Sequence, residues 1–261
     1  MNKWVKLLIA GLAAALVFLG ALMLANVTRS KAAPVTVSGV DIQFTDSLQF
    51  VCADDIKDYI AEGYGTLAGE RTDSVRLWEI ESLLESKSAI GSCEAWTTAD
   101  GVLHLLISQR APAVRFKCSD GSGWYIDDRG YIFPLHSSYT ATVPVVEGKI
   151  PVKVAPGYKG EAQSEKERQW LSDIVAMENC LSGSKQWKGR LDKVTVADNG
   201  DLQLQIEGGK EIFIFGDPSD AAAKASLMEK YCSYILPAVG EGFYKSVNLK
   251  YNNQIICRKD I

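Results

Sequence analysis

The chain has 261 residues, 47% of them hydrophobic and 23% charged, a length and composition that suit one or two folded domains and exclude a disordered chain. The formal net charge is −4, and because Lys3 and Lys6 lie ahead of the first apolar run, the remainder is more acidic still. That balance argues against a nucleic-acid partner.

Leu7–Ala25 carries no charge or strongly polar side chain, and Trp4 and Val5 extend it. At 1.5 Å per helical residue such a run covers roughly the 30 Å hydrocarbon layer of a bilayer. Residues 4–27 are therefore expected to form one transmembrane helix in contact with lipid, behind a cytoplasmic tail of residues 1–3, with the bulk of the chain exported. A cleaved signal peptide is the competing reading, but the run is long for one and Met23-Leu24-Ala25 is a poor cleavage site. The six cysteines, Cys52, Cys93, Cys118, Cys180, Cys232 and Cys257, all follow this segment. An oxidising compartment permits pairing among them, and the sequence selects no pairing.

After the linker Thr28–Pro34, the β-branched stretch Val35–Ile42 reads as a strand. Ala53–Glu62 reads as a helix with Asp54 and Asp55 in its first turn and Ile56, Tyr59 and Ile60 inward. Ser74–Ser86 reads as a second helix, capped by Asp73 or Ser74, with Leu77, Ile80, Leu83 and Leu84 at helical spacing and Trp78 beside them. Ile90–Thr97 and Val102–Gln109 follow as strands joined by Ala99-Asp100-Gly101. The order β-α-α-β-β over residues 33–111 predicts two helices laid on one face of a three-stranded sheet.

Proline at 112 marks a junction. Val114–Lys117 opens a second unit, expected over residues 112–254, and Gly123–Leu135 follows as a hairpin: Trp124-Tyr125-Ile126 out, Tyr131-Ile132-Phe133 back, with Asp127 at the first turn position and Gly130 closing it. Thr142–Val146 reads as a strand. Ser164–Asn179 reads as a helix whose Ser164 and Glu167 form a capping box. Lys193–Val196, Leu202–Ile206 and Glu211–Phe215 read as a meander, and Pro218 opens a helix to Leu236 with Leu227, Tyr231 and Tyr234 on one stripe. Ser246–Tyr251 reads as the last strand, and residues 255–261 as a loose tail. The fold class expected is α+β: a transmembrane helix, a small α/β unit, then a mixed, mainly β-sheet domain with flanking helices.

Catalytic signatures are missing: no G-x-S-x-G, H-E-x-x-H, C-x-x-C or Walker loop occurs. Gly63-Tyr64-Gly65 with Gly69 follows a helix where a dinucleotide loop needs a strand, and reads as a connection. The two histidines, His104 and His136, give no metal-ligand spacing. Asp127 and Asp128 could serve as an acid–base pair in a membrane-anchored extracytoplasmic hydrolase, yet neighbours on a strand point to opposite faces and turn chemistry accounts for both. No catalytic residue, cofactor, metal or small-molecule substrate is expected.

Gln109-Arg110-Ala111-Pro112, followed by Trp124-Tyr125-Ile126-Asp127-Asp128-Arg129-Gly130-Tyr131-Ile132-Phe133-Pro134, resembles the FtsQ/DivIB family of bacterial cell-division proteins. The fingerprint positions are Arg110, Pro112, Tyr125, Asp127, Gly130 and Phe133. The first unit resembles that family's POTRA domain, and Val247-Asn248-Leu249-Lys250-Tyr251 resembles its terminal Val-Asp-Leu-Arg-Tyr strand, with Asn248 and Lys250 as departures. The resemblance implies a non-enzymatic scaffold in the cell membrane that binds division proteins of the FtsB/DivIC and FtsL type outside it. Val247, Asn248, Leu249, Lys250 and Tyr251 are the expected partner-binding residues, by strand addition at a sheet edge. A POTRA-containing outer-membrane assembly or secretion factor is the alternative, although such proteins usually carry repeated units or a barrel.

Overall fold

The computed structural model of the chain describes residues 15–21, 23, 34–185, 187–251 and 253–259. Residues 15–21 are helical, and among the described residues no helix is long and apolar enough to cross a membrane. Most of the span expected over residues 4–27 lies outside the described residues.

The first unit contains β1 (Gly39–Phe44), α1 (Ala53–Gly63), α2 (Leu77–Glu85), β2 (Ile90–Thr97) and β3 (Val102–Gln109). Its sheet runs β1-β3-β2, with β1 parallel and β2 antiparallel to the central strand. Ile56 and Ile60 of α1 and Ile80 and Leu84 of α2 bury against Leu103, Leu105 and Ile107, the inward half of an alternating strand. The helices approach closely because Gly63 has no side chain: a Cβ there would lie 2.4 Å from Leu83 Cδ1. Two sequence expectations shift. The first strand begins at Gly39, since Val35 and Thr36 are held instead by the loop at Arg71–Thr72. The second helix begins at Leu77 without a side-chain cap, because Asp73 is engaged with the Arg71 guanidinium and the Ser74 hydroxyl.

The second unit adds β4 (Pro112–Lys117), β5 (Gly123–Asp127), β6 (Ile132–Pro134), β7 (Val145–Gly148), α3 (Glu165–Gly183), β8 (Leu191–Val196), β9 (Leu202–Ile206), β10 (Ile212–Gly216), α4 (Ala221–Lys230), β11 (Ser246–Asn248) and β12 (Ile256–Arg258). They form one nine-stranded sheet in the order β12-β11-β10-β9-β8-β7-β4-β5-β6. Alternate residues Val194, Val196, Leu202, Leu204, Phe213, Phe215 and Val247 enter a core shared with Leu171, Ile174 and Val175 of α3 and Leu227 and Met228 of α4. The Ser164–Glu167 capping box forms as expected, the Glu167 N–H donating to Ser164 Oγ at 3.3 Å.

Three further expectations are corrected. The strand placed at 142–146 forms at Val145–Gly148, where it inserts parallel between β4 and β8. The last helix starts at Ala221 and passes through a π-helical turn at Tyr231–Ile235 into the short turn Leu236–Val239. The wider turn rotates the stripe, so Tyr231 is buried while Tyr234 is 77% exposed. Within the stretch expected as a loose tail, Ile256–Arg258 instead pairs antiparallel with β11, while residues 260 and 261 lie outside the described residues.

The β5–β6 hairpin joins the two units. Trp124, Ile126 and Ile132 face the second core, and Tyr125 and Phe133 face the first. On that first side, Phe50 meets the rings of Tyr125, Phe133 and Tyr139 edge-on, with centroids 5.7, 6.0 and 4.9 Å away. On the other, Trp124 stacks on Phe116 at 3.9 Å. Phe50→Ala is expected to lower stability by about 3–5 kcal/mol. Urea denaturation of the full chain measures this, and a loss confined to the first unit would show that the seam does not couple the two.

Candidate partner-binding site

At Gln109–Pro112 the chain passes from one sheet to the other, and backbone and side chains there are knit together. Gln109 is buried: its amide donates to Asp46 Oδ1 at 2.9 Å and its oxygen accepts from the Val51 N–H at 3.0 Å. Arg110 spans the joint. Its guanidinium donates to the carbonyls of Ser88 and Ile90, both at 3.2 Å, to Asp127 Oδ2 at 2.8 Å, and lies over the Tyr131 ring. Asp127 Oδ1 accepts the Arg129 and Tyr131 backbone N–H groups at 3.0 and 2.8 Å. Gly130 sits at φ +85° and donates its N–H to the Asp127 carbonyl, the turn expected from the sequence.

These contacts decide the carboxylate pair. Both oxygens of Asp127 are committed, its side chain is 6% exposed, and Asp128 is not part of the network. Asp127 is an architectural acid. Replacing it with Asn leaves a partly buried guanidinium without its counter-charge, a change that costs up to about 3 kcal/mol. Urea denaturation of Asp127→Asn measures this; an unchanged midpoint would mean that the ion pair does not hold the joint.

Histidines and metal-binding types are dispersed. His104 Nδ1 lies 3.0 Å from Asp41 Oδ2 and its Nε2 lies 3.2 Å from Thr98 Oγ1, while its ring stacks on Trp96. The Gln43 amide and then His104 hold the Asp41 carboxyl below its usual range. His136 instead meets Ser138 and the Phe50 ring. Among the described residues no group of three or more His, Cys, Asp or Glu side chains could hold a metal ion.

A groove of about 790 Å³ opens between the units, lined by Gly91, Arg110, Asp127, Glu178 and Trp187 among others. Burial raises the Glu178 carboxyl above its ordinary value, and its hydrogen bond with Ser182 offsets only part of that. A carboxyl raised in the folded state favours folding below its unfolded pKa, and loses that contribution as pH rises through the folded pKa. Glu178→Gln is therefore expected to stabilise the chain at neutral pH, with the advantage disappearing in acid. Thermal melting of both forms across this range checks the sign, and a Gln variant less stable at neutral pH contradicts it.

The C-terminal residues expected at an edge lie inside the sheet. β11 pairs parallel with β10 and antiparallel with β12, so Ser246–Asn248 has neighbours on both sides. Val247 and Leu249 are buried in the core. Asn248 Oδ1 accepts the Lys250 N–H, Lys250 Nζ pairs with Asp201 at 2.7 Å, and Tyr251 is 52% exposed. Among the described residues the edge strand is β12, reached through a turn in which the Gln254 N–H donates to the Tyr251 carbonyl and Asn253 adopts φ 59°. The run Ile255-Ile256-Cys257 carried this signal in the sequence. Leu249 donates its N–H to Ile214 of β10, so alternation turns Ser246 and Asn248 toward β12. Their partners Arg258 and Ile256 then face inward, and Cys257 presents its N–H and C=O to the open side.

The fold thus defines a protein with one β-α-α-β-β unit locked onto an extended mixed sheet that ends in a short open edge. Comparison with known families agrees: residues 36–108 match the POTRA-like domain, and residues 111–258 match the family described as FtsQ/DivIB, C-terminal related. The chain belongs to the FtsQ/DivIB family, whose members are non-enzymatic, membrane-associated cell-division proteins. No curated protein matches it.

Proposed function

We propose that the chain is a membrane-anchored scaffold of the bacterial division machinery that captures single-pass partners of the FtsB/DivIC and FtsL type by strand addition to its C-terminal edge. The observation that carries this reading is the family match over the sheet domain together with the position of β12 at that sheet's end. Backbone pairing along β12 supplies affinity independent of side chains. The exposed side chains of Tyr251, Ile256 and Arg258 around the edge supply the choice of partner. Within Val247–Tyr251, Lys250 and Tyr251 stand at this corner, while Val247 and Leu249 contribute by fixing β11 in the core. The apolar segment of residues 4–27 anchors the scaffold in lipid.

Depletion of the protein in its native cell is expected to give long undivided filaments, and normal septation would overturn the scaffold reading. At the edge itself, Cys257→Pro removes one outward backbone donor at a position where proline is tolerated. Co-purification of the partner proteins with the full chain is expected to fall about tenfold, the loss of one interfacial hydrogen bond and its close strand contact. Full recovery with a folded variant would place the interface elsewhere.

A further inference from the structure

The first unit has an edge of its own. Among the described residues β2 pairs only with β3, and an unprotected antiparallel edge of this kind is a template for another strand. Two of its backbone N–H groups do not reach β3 but are taken by side chains of α2. Cys93 donates to Glu85 Oε1 at 3.1 Å, and Ala95 donates to Glu81 Oε1 at 2.8 Å.

The match is one of periods. Residues two apart on a strand place like-directed N–H groups about 6.8 Å apart. Residues four apart on a helix stand one above the other, about 5–6 Å apart. Glu81 and Glu85 therefore set two carboxylate oxygens where successive carbonyls of an incoming strand would stand. The bonds are charge-assisted and so stronger than neutral ladder bonds. The helix that carries them is fixed by the fully buried Ile80 and Leu84. At the far end of the large sheet, β6 is covered differently: Ile132 and Gly160 exchange both backbone hydrogen bonds, and Pro134 ends the strand.

We propose that Glu81 and Glu85 form a latch that closes the β2 edge to strand addition, the excluded occupant being β2 of a second copy of this chain. An antiparallel pair of identical edges is self-complementary about a two-fold axis, which makes a second copy the partner this edge fits when it is open. The latch is independent of the partner capture assigned to β12, and it confines backbone pairing to other edges.

The test uses the full chain in detergent micelles, comparing wild type with Glu81→Ala/Glu85→Ala and Glu81→Gln/Glu85→Gln. Amide hydrogen exchange at Cys93 and Ala95 is expected to speed up roughly tenfold or more in the Ala pair, the effect of losing one charge-assisted hydrogen bond each. Light scattering is expected to show concentration-dependent dimers of that variant beyond any wild-type association. The Gln pair keeps an acceptor oxygen at each position and is expected to behave as wild type. Glu81→Ala alone, the milder change, is expected to free Ala95 while leaving Cys93 protected. Wild-type exchange in both Ala variants would overturn the latch. Faster exchange without added association would overturn it as well, reducing the glutamates to ordinary solvation of the edge.

Discussion

A guanidinium taken out of water at a joint between two sheets must find a carboxylate and enough acceptors there, or the joint cannot close. In this chain Arg110 finds Asp127 across the joint, with the Ser88 and Ile90 carbonyls behind it and the Tyr131 ring beneath. The remaining structure is arranged around that satisfied charge. Asp127 can accept it because its second oxygen fastens the turn that begins the return strand. The turn in turn places Phe133 beside Tyr125, so the hairpin offers aromatic side chains to the first unit and Trp124, Ile126 and Ile132 to the second. A segment with the residues of an acid–base pair is thereby the fastening between a POTRA-like unit and its neighbour.

The fastening matters for a scaffold because it packs both units against one hairpin, and their sheet edges are then presented from one assembly. Sheet edges are the natural currency of this fold, and the molecule treats them unequally. The β6 edge is closed by a backbone bridge and a proline, and the β2 edge by two glutamates from the adjoining helix. β12 stands at the other end of the nine-stranded sheet, short and paired on one side. Short length is one of the ways in which proteins limit indiscriminate pairing at an edge.

Much of this was legible in the residues. The β-α-α-β-β order, the capping box at Ser164, the turn at Asp127–Gly130 and the meander from β8 to β10 each follow from local propensity and period, and each is present. Misread elements share a cause. Asp73 would cap a helix had it not been taken by Arg71, and Tyr234 would share the stripe of Tyr231 had a π turn not intervened. The edge position was the least legible, because Ser246–Tyr251 looks the same whether it ends a sheet or lies within it.

Sequence alone determined most of the elements and their class, since hydrophobic period and turn chemistry act over a few residues. It also carried the fingerprint of the family, because the Arg110, Asp127 and Gly130 pattern is written in one short stretch. Only the tertiary structure decided which strand is an edge. That property depends on whether another segment reaches the strand's free N–H and C=O groups, and backbone groups are identical whatever residue bears them. So the short run Ile256–Arg258, which looks like a tail, became the border of a nine-stranded sheet, and two glutamates on a helix became the cover of another.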